Sequence, residues 1–399
     1  MRRFRADLVW TPQGPLRGGE VLVGGDGRIA EVSGPSQARA EQVSGLLLPG
    51  LVNAHAHLEL SDLRGRVPGG EGLPSWVQAL MAARRVPEAG AVRQAIAEAQ
   101  AMGTAAIIDV SNSGASLPLL VEAGMRGLVQ IELLGIEPER CEAARAAAAA
   151  VEEGARMPTR RTCHAVVSCS RDLLAQTLAP GSSAVATMHG DEDPADAALL
   201  RDQEGPWAVL LDRLGRDWRG RMGQAPSTVD LLEGLGVLGP GLALVHCVHT
   251  GPEALDRIAA RGAAVILCPR SNLHIGGRLP DLPGMVRRGI PLAIGTDSLA
   301  SSPDMDLLGE ATALARAFPE LAPATWIQAL TTGGARLLER LDPGRPLGDG
   351  AARGGLVPGA VHGILHLHLP PTDDPARALF APPATGAWPR SWLSCPLLP

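Results

Sequence analysis

The sequence predicts an α/β protein built on a closed parallel (β/α)8 barrel, with a small β domain assembled from both termini. Three observations carry that prediction. Eight short apolar runs alternate with helical stretches across roughly 300 residues, which fits a closed barrel better than an open sheet. Histidines and acidic residues recur at the carboxyl ends of those runs, the face on which such barrels build their sites. The sequence at either end has a different, short-strand character. With 399 residues, 45% apolar and 20% charged, the chain has ample material for a buried core.

From the amino terminus, residues 1–48 read as short strands joined by turns. Gly19–Gly24 and Arg28–Ser33 flank Gly25-Asp26-Gly27, a strong hairpin signal. From Leu46 the pattern changes to buried strands separated by long helical stretches. The eight strands are placed at Leu51–His57, Ala105–Val110, Gly127–Leu134, Thr162–Ser168, Ala184–His189, Leu242–His249, Ala264–Pro269 and Pro291–Thr296. Helices between them include Val92–Ala101, Cys141–Ala155 and Pro252–Arg261. The alanine run Ala146–Ala150, followed by Glu152 and Glu153, reads as surface helix because alanine is the strongest helix former. Leu347–Leu369 returns to short strands, and a proline-rich tail follows. The expected division is residues 1–48 plus 346–399 for the composite β unit and residues 49–345 for the barrel.

Composition removes several chemistries. All 36 basic residues are arginine, so Schiff-base catalysis, a P-loop lysine and a carbamylated lysine bridging two metals are excluded. Tyrosine is absent as well, and with it any tyrosyl acid, base or nucleophile. A formal charge of −6 gives no electrostatic reason to expect nucleic acid or an anionic membrane surface. No apolar run approaches the ~20 residues of a membrane span, and Met1–Arg5 leads into mixed sequence, so a cytoplasmic protein is expected. The six cysteines (Cys141, Cys163, Cys169, Cys247, Cys268 and Cys395) form no CxxC pair and read as buried thiols of a reducing compartment.

The chemistry concentrates at four strand ends. His55-Ala-His57 closes the first strand, where alternate residues share a face and both imidazoles can meet one centre. His189-Gly-Asp-Glu192 follows the fifth, His246-Cys-Val-His249 the sixth, and Gly295-Thr-Asp297-Ser298 the eighth. Each is unremarkable alone, the first being an ordinary polar strand end. Together, three histidines and one aspartate make a nitrogen-rich site suited to one divalent ion, zinc first and ferrous iron as the alternative. Glu192 lies one turn beyond His189, close enough to relay protons without occupying the metal.

These elements resemble the amidohydrolase superfamily, specifically the branch of cytosine, S-adenosylhomocysteine and aminodeoxyfutalosine deaminases. The resemblance rests on Val21–Val32, residues 47–57 (LLPGLVNAHAH), His189–Glu192, His246–His249, residues 268–272 (CPRSN) and Gly295–Ser298. It implies a distorted (β/α)8 TIM barrel with a small β-sandwich built from both termini. It implies a mononuclear metal held by His55, His57, His189 and Asp297, with Glu192 and His246 as the proton-handling pair. The missing lysine agrees, because the two-metal branches normally carry a carboxylated one. A metal ion lowers the pKa of bound water from about 15.7 towards about 7, so hydroxide is available at neutral pH. Asp297 then orients that water and accepts its proton, Glu192 protonates the ring nitrogen and the leaving amine, and His246 donates to the oxygen that develops charge.

Further site residues follow from the same resemblance. His164, in Cys163-His164-Ala165, matches a Pro-His-Ala element that contacts substrate in relatives, although Val167 stands where a tyrosine is often found. His249, Ser271 and Asn272 complete the expected substrate contacts together with Glu192. The alternatives are a hydrogen-bonded structural role for His164, a supporting role behind the metal for His249 and ordinary turn roles for Ser271, Asn272 and His274. Glu59 either faces the pocket or caps the next segment. His362, His366 and His368 alternate with apolar residues; this spacing admits a second metal site, but a solvated strand face is the reading adopted. Ala360-Val-His362-Gly interrupts a Gly-x-x-Ala-Asp element usual in relatives.

The resulting expectation is a metal-dependent hydrolytic deaminase of an aminopurine-type nucleoside or base. Residues 57–65, Trp76 and Arg84-Arg85 look most like aminodeoxyfutalosine deaminases of menaquinone synthesis, with the arginines either pairing the substrate's benzoate near the mouth or standing as exposed helix residues. The alternatives are another amidohydrolase cleaving a cyclic amide, an amidine or a carbon–halogen bond, and a non-catalytic scaffold that would have lost its ligands. The expected partner is a small-molecule substrate, with a homodimer as the candidate assembly.

Overall fold

In a computed structural model, which describes residues 1–179, 186–341, 354–370, 372–381 and 386–395, the chain opens with a ten-residue strand, β1 (Arg2–Thr11). Strands β2 (Gly14–Arg17) and β3 (Glu20–Val23) pair antiparallel with successive parts of it. The Gly25-Asp26-Gly27 turn joins β3 to β4 (Ile29–Ser33) as an antiparallel hairpin. Strand β5 (Glu41–Pro49) then runs parallel to β1. One face is apolar: Phe4, Val21, Ile29 and Leu47 pack into a buried cluster. Glu20 is fully buried in the same sheet. It accepts from Arg3 Nη1 at 3.1 Å, from the Ser36 N–H at 2.9 Å and from Ser36 Oγ at 2.8 Å, and it also pairs with Arg5.

The next eight strands are those of the barrel: β6 (Leu51–Ala56), β7 (Thr104–Ser111), β8 (Arg126–Leu133), β9 (Thr159–Cys163), β10 (Ala186–Gly190), β11 (Leu242–His246), β12 (Ala264–Leu267) and β13 (Leu292–Ile294). They pair in parallel as β6–β9 and β10–β13. Single parallel bridges, Ala165 to His189 and Ala56 to Asp297, link the two groups into a ring. Helices cover the outside, so the strands are buried on both faces; all eight residues of β7 are buried. Each expected strand has a counterpart, but the fourth is displaced: β9 shares only Thr162 and Cys163 with the expected Thr162–Ser168, because the chain turns after Cys163. Ala184, the expected start of the fifth, lies outside the described residues. So does the expected 345/346 domain boundary.

At the seam between β6 and β13, Asn53 donates to Thr296 Oγ1 at 2.8 Å and accepts the Thr296 N–H at 3.1 Å. The Asp297 N–H bonds the His55 carbonyl at 3.0 Å. Gly295 permits this approach, since a Cβ there would stand 2.6 Å from the His55 carbonyl oxygen and 2.7 Å from its Cβ.

The chain finally returns to the first sheet. β14 (Ile364–Leu367) pairs antiparallel with β5, and β15 (Arg390–Ser394) with β14. The sheet is therefore seven-stranded and drawn from both ends of the sequence. β15 lies within the tail that proline content marks as irregular; its five residues run between Pro389 and Pro396 and complete the edge. Arg390 anchors it, pairing with Asp306 at 2.7 and 2.9 Å and donating to the Met102 carbonyl at 3.0 Å. Two terminal histidines depart from the expected solvated face. His362 and His366 are buried, and only His368 is exposed. His366 Nε2 donates to the Ser44 carbonyl at 2.6 Å across the β5 edge. His362 packs its carbonyl against Gly50, where a Cβ would come within 2.3 Å.

Burial opposes ionisation of Glu20, but its hydrogen bonds from Ser36, Arg5 and Arg3 outweigh it and hold the carboxyl at about 2. A carboxyl held below its unfolded value stabilises fully above that unfolded value, near pH 4.3, and loses the contribution as pH falls towards 2. Thermal unfolding followed from pH 6 to pH 2.5 should show a steeper loss in the native chain than in Glu20→Gln. Parallel curves would contradict the assignment.

Candidate active site

The carboxyl ends of the barrel strands carry every member of the cluster. His55 and His57 project from the end of β6 on one side, their Nε2 atoms 3.1 Å apart. His189 at the end of β10 brings its ring centroid to 5.0 Å from that of His55 and 5.5 Å from that of His57. Its Nδ1 donates to the His164 carbonyl at 2.9 Å, which leaves Nε2 as the free lone pair. Burial, reinforced by the neighbouring imidazoles, pushes the pKa values of His55 and His189 well below the ordinary histidine range. Both rings are therefore neutral at neutral pH, the state in which nitrogen ligates a cation.

Asp297 faces them from the end of β13. Its Oδ1 lies 3.9 Å from His55 Nε2 and 3.8 Å from His57 Nε2. The carboxylate is held from behind: Ser271 Oγ donates to Oδ2 at 2.6 Å and the Ser298 N–H to Oδ1 at 2.7 Å. Asp297 (φ 57°) and His246 (φ 74°) both occupy left-handed backbone. Such non-glycine residues cost about 1–3 kcal/mol each and persist where surrounding bonds overdetermine them.

Glu192 and His246 form the second half of the cluster. His246 Nε2 stands 3.4 Å from Glu192 Oε2. On the far side of the ring, Asn272 Nδ2 donates to His246 Nδ1 at 2.8 Å, which puts the imidazole proton on Nε2, towards Glu192. Burial lowers His246 to about 4, against the pull of Asp297. Burial, followed by the charges of Asp297, Asp196 and Asp193, raises Glu192 well above the usual carboxylate range. A cation beside Asp297 would offset the aspartate charge but not the desolvation. Asp196 accepts the Glu192 N–H at 3.1 Å and Trp207 Nε1 at 2.7 Å, coupling the acid to the pocket wall.

Above the cluster opens a cavity of about 340 Å³, floored by His57, His189, Glu192, His246 and Asp297. Its walls are largely apolar. Leu73, Trp76, Val77 and Leu80 come from the helix Leu73–Ala83, and Trp207, Leu210 and Leu211 from Pro206–Arg213. The Leu73 N–H is bound by Asp193 at 2.8 Å, so the first wall is tied to the segment carrying Glu192. His164 lines the cavity, with Nδ1 and Ser168 Oγ 2.7 Å apart, and Arg84 lines it too. His55, His249, Ser271, Asn272 and Arg85 do not line it. Ser271 and Asn272 sit one layer behind, holding Asp297 and His246. His274 bonds the Val67 carbonyl at 3.0 Å. Glu59 turns away from the pocket and caps the loop after β7, accepting the Asn112 N–H at 3.1 Å and the Ala115 N–H at 2.9 Å.

The model of the amidohydrolase family matches residues 46–344. The chain belongs to the amidohydrolase family. The curated relatives it matches include deaminases. An aminodeoxyfutalosine deaminase of Deinococcus radiodurans is 27% identical over 84% of this chain and 85% of its own length. A 5-methylthioadenosine/S-adenosylhomocysteine deaminase of Nitratidesulfovibrio vulgaris is 30% identical over 75% of this chain and 70% of its own. The structure of Helicobacter pylori aminofutalosine deaminase in complex with methylthio-coformycin superposes with a TM-score of 0.81. It covers 96% of this chain and 95% of that one, at 20% identity.

The donor set suits this amidohydrolase as a one-metal enzyme. His55, His57 and Asp297 offer ligand atoms all within 4.8 Å of one another, and so do His55, His189 and His246. Neutral imidazoles with one carboxylate are zinc-type donors. His55 Nε2 and His57 Nε2 face one another at 3.1 Å, close enough to ligate one shared cation. Sequence reasoning missed Glu132, at the end of β8, which lies 3.8 Å from His189 Nδ1 and accepts from Asn112 Nδ2 at 2.8 Å. Its place at a strand end was the available signal. Trp207, Arg140 and Arg216 also line the cavity, from helices and loops that carry no motif.

Elemental analysis of the purified chain should return about one divalent ion per polypeptide. His55→Ala and His189→Ala should each remove it while leaving the far-ultraviolet circular dichroism unchanged. Two equivalents in an active preparation would overturn the single-ion site.

Proposed function

We propose that this chain hydrolyses the exocyclic amine of an aminopurine nucleoside or base, and that its substrate is a carboxylated nucleoside of the 6-aminodeoxyfutalosine type. The observation that carries the reading is the buried pair Glu192–His246, 3.4 Å apart, on the floor of an apolar cavity beside the cluster of His55, His57, His189 and Asp297. A largely apolar cavity with a few convergent polar groups suits a purine ring and its sugar. The deaminases among the relatives support the same class.

In this reading His55, His57, His189 and Asp297 hold the ion. When bound, it supplies Lewis acidity that lowers the pKa of a coordinated water from about 15.7 to about 7. Asp297 takes a proton from the attacking water, its carboxylate held in orientation by Ser271 and Ser298. Glu192, kept protonated by burial, gives its proton to the ring nitrogen beside the reacting carbon. His246 donates from Nε2 to the oxygen where charge develops. The proton gathered from water passes to the amine, the carbon–nitrogen bond breaks, and the hydroxyl proton returns to the Glu192 carboxylate; ammonia and the ring carbonyl are the products. His164 meets the substrate from the wall, whereas His249, Ser271 and Asn272 act behind the reacting groups.

The proposal extends to the organisation and location of the chain. Residues 1–48 with 346–399 make one unit and residues 49–345 the catalytic one. The cytoplasm is the proposed compartment, supported by free cysteines of which Cys141, Cys163, Cys169, Cys247 and Cys268 are buried. No helix among the described residues is long and apolar enough to cross a membrane.

Glu192→Gln keeps size and hydrogen bonding but removes the titratable group. Its kcat should fall by about 10²–10⁴-fold with the bound ion retained; near-normal turnover would assign the acid elsewhere. Asp297→Asn should lower metal content and rate together. A carboxylated aminopurine nucleoside should exceed adenosine, cytosine and guanine in kcat/KM by orders of magnitude. Equal turnover of a neutral nucleobase would remove that substrate and leave the deaminase class standing.

A further inference from the structure

Four arginines follow one another in the chain from the end of the second wall's helix onward, and three of them are occupied. Arg213 donates to Gln78 Oε1 at 2.8 Å. Arg219 makes a forked pair with Asp212 at 2.6 and 2.8 Å and lies 4.4 Å over the Trp218 ring. Arg221 pairs with Asp217 at 2.7 Å. Arg216 has no side-chain hydrogen bond or ion pair among the described residues, and of the four it is the one that lines the cavity.

The segment around Arg216 is held rigidly. Trp218 is buried and donates Nε1 to Asp212 at 2.8 Å. The Arg216 N–H bonds the Leu211 carbonyl at 3.0 Å. The neighbouring Asp217 N–H reaches Glu137 Oε1 at 3.2 Å, and Arg140 Nε lies 3.6 Å from Glu137 Oε2. Glu137, Arg140 and Arg216 all line the cavity, so one edge of it gathers two cations and one anion. Glu137 compensates Arg140. The net charge left over is a single guanidinium, presented from a pinned loop beside apolar walls. Arg84, elsewhere on the wall, differs: it bonds Asn112 at 2.7 Å, and Asn112 in turn bonds the Glu132 carboxylate.

We infer that Arg216 is a specificity-determining residue that grips a carboxylate at the end of the substrate remote from the amine. A guanidinium presents paired N–H donors that match a planar carboxylate. One uncompensated positive charge suits a monoanion rather than a phosphate dianion. The inference rests on the deaminase reading for the position of the amine, but the anion grip can be measured by itself.

The probes are a 6-aminopurine nucleoside bearing a benzoate at its far end, its methyl ester, and adenosine 5′-monophosphate. Turnover is measured by ammonia release and binding by calorimetry on the metal-loaded enzyme. The native chain should prefer the acid to the ester by about 10- to 100-fold, as expected for a charge-assisted hydrogen bond. Arg216→Gln should erase that preference through KM and Kd, with kcat/KM falling far more for the acid than for the ester. Arg216→Lys should restore part of it, and Arg219→Gln, whose guanidinium is already bound by Asp212, should keep the native ratio. A preference that survives Arg216→Gln, an equal loss for acid and ester, or tighter binding of the phosphate would overturn the inference. If neither nucleoside is deaminated yet the acid binds more tightly than the ester through Arg216, the deaminase reading falls and the anion grip stands.

Discussion

Asn53 and Thr296 are fully buried, and the two hydrogen bonds between them join the first barrel strand to the last. Leaving either group unpaired in that interior would cost about 1–3 kcal/mol, so the seam is specified by side-chain amide and hydroxyl as well as by backbone. The site depends on it directly. His55 and His57 follow Asn53 by two and four residues, and Asp297 follows Thr296 by one. Closing the ring therefore brings the imidazoles within 4 Å of the carboxylate. Gly295 is the steric condition for that closure, because any side chain there would strike His55.

Around this seam the protein spends stability on orientation. Asp191, His246, Cys247 and Asp297 all lie in left-handed backbone at strand ends, a conformation disfavoured for residues other than glycine. Three of these kinks are braced through their side chains. Asp191 is buried and binds the Thr228 N–H at 3.1 Å and Thr250 Oγ1 at 3.0 Å. Asn272 holds His246, and Ser271 holds Asp297. Placing these braces outside the cavity leaves the floor free for substrate and ion while fixing which lone pairs point upward.

Much of this was legible in the sequence because periodicity and strand-end chemistry report on the barrel. Strands buried on both faces read as unbroken apolar runs, and His55, His57, His189, His246 and Asp297 stand where those runs stop. The substrate contacts were less legible. Ser271 and Asn272 have side chains suited to either a ligand or a neighbour, and only three-dimensional placement turns them towards Asp297 and His246. Glu59 follows the His57 motif closely, yet the short helix Leu58–Leu63 rotates it onto the loop after β7. Arg216 and Trp207 carried no signal, since a helix wall has no fixed spacing from a strand end. His362 and His366 were read as solvated because alternation places residues on a face without saying what covers it; here the cover is the edge of β5.

The circular connectivity of the barrel also sets an order of assembly during synthesis. Asn53 and Thr296 are 243 residues apart, and β15, which binds Asp306 just beyond the last barrel strand, comes almost a hundred residues later still. A nascent chain that has released β6–β9 offers an ion His55 and His57 but neither His189 nor Asp297. Long-range closures of this kind form late, after their loop entropy has been met. On the proposed ligand set, an ion would find its full site only on the nearly finished polypeptide, and its binding would report whether both ends of the ring have met.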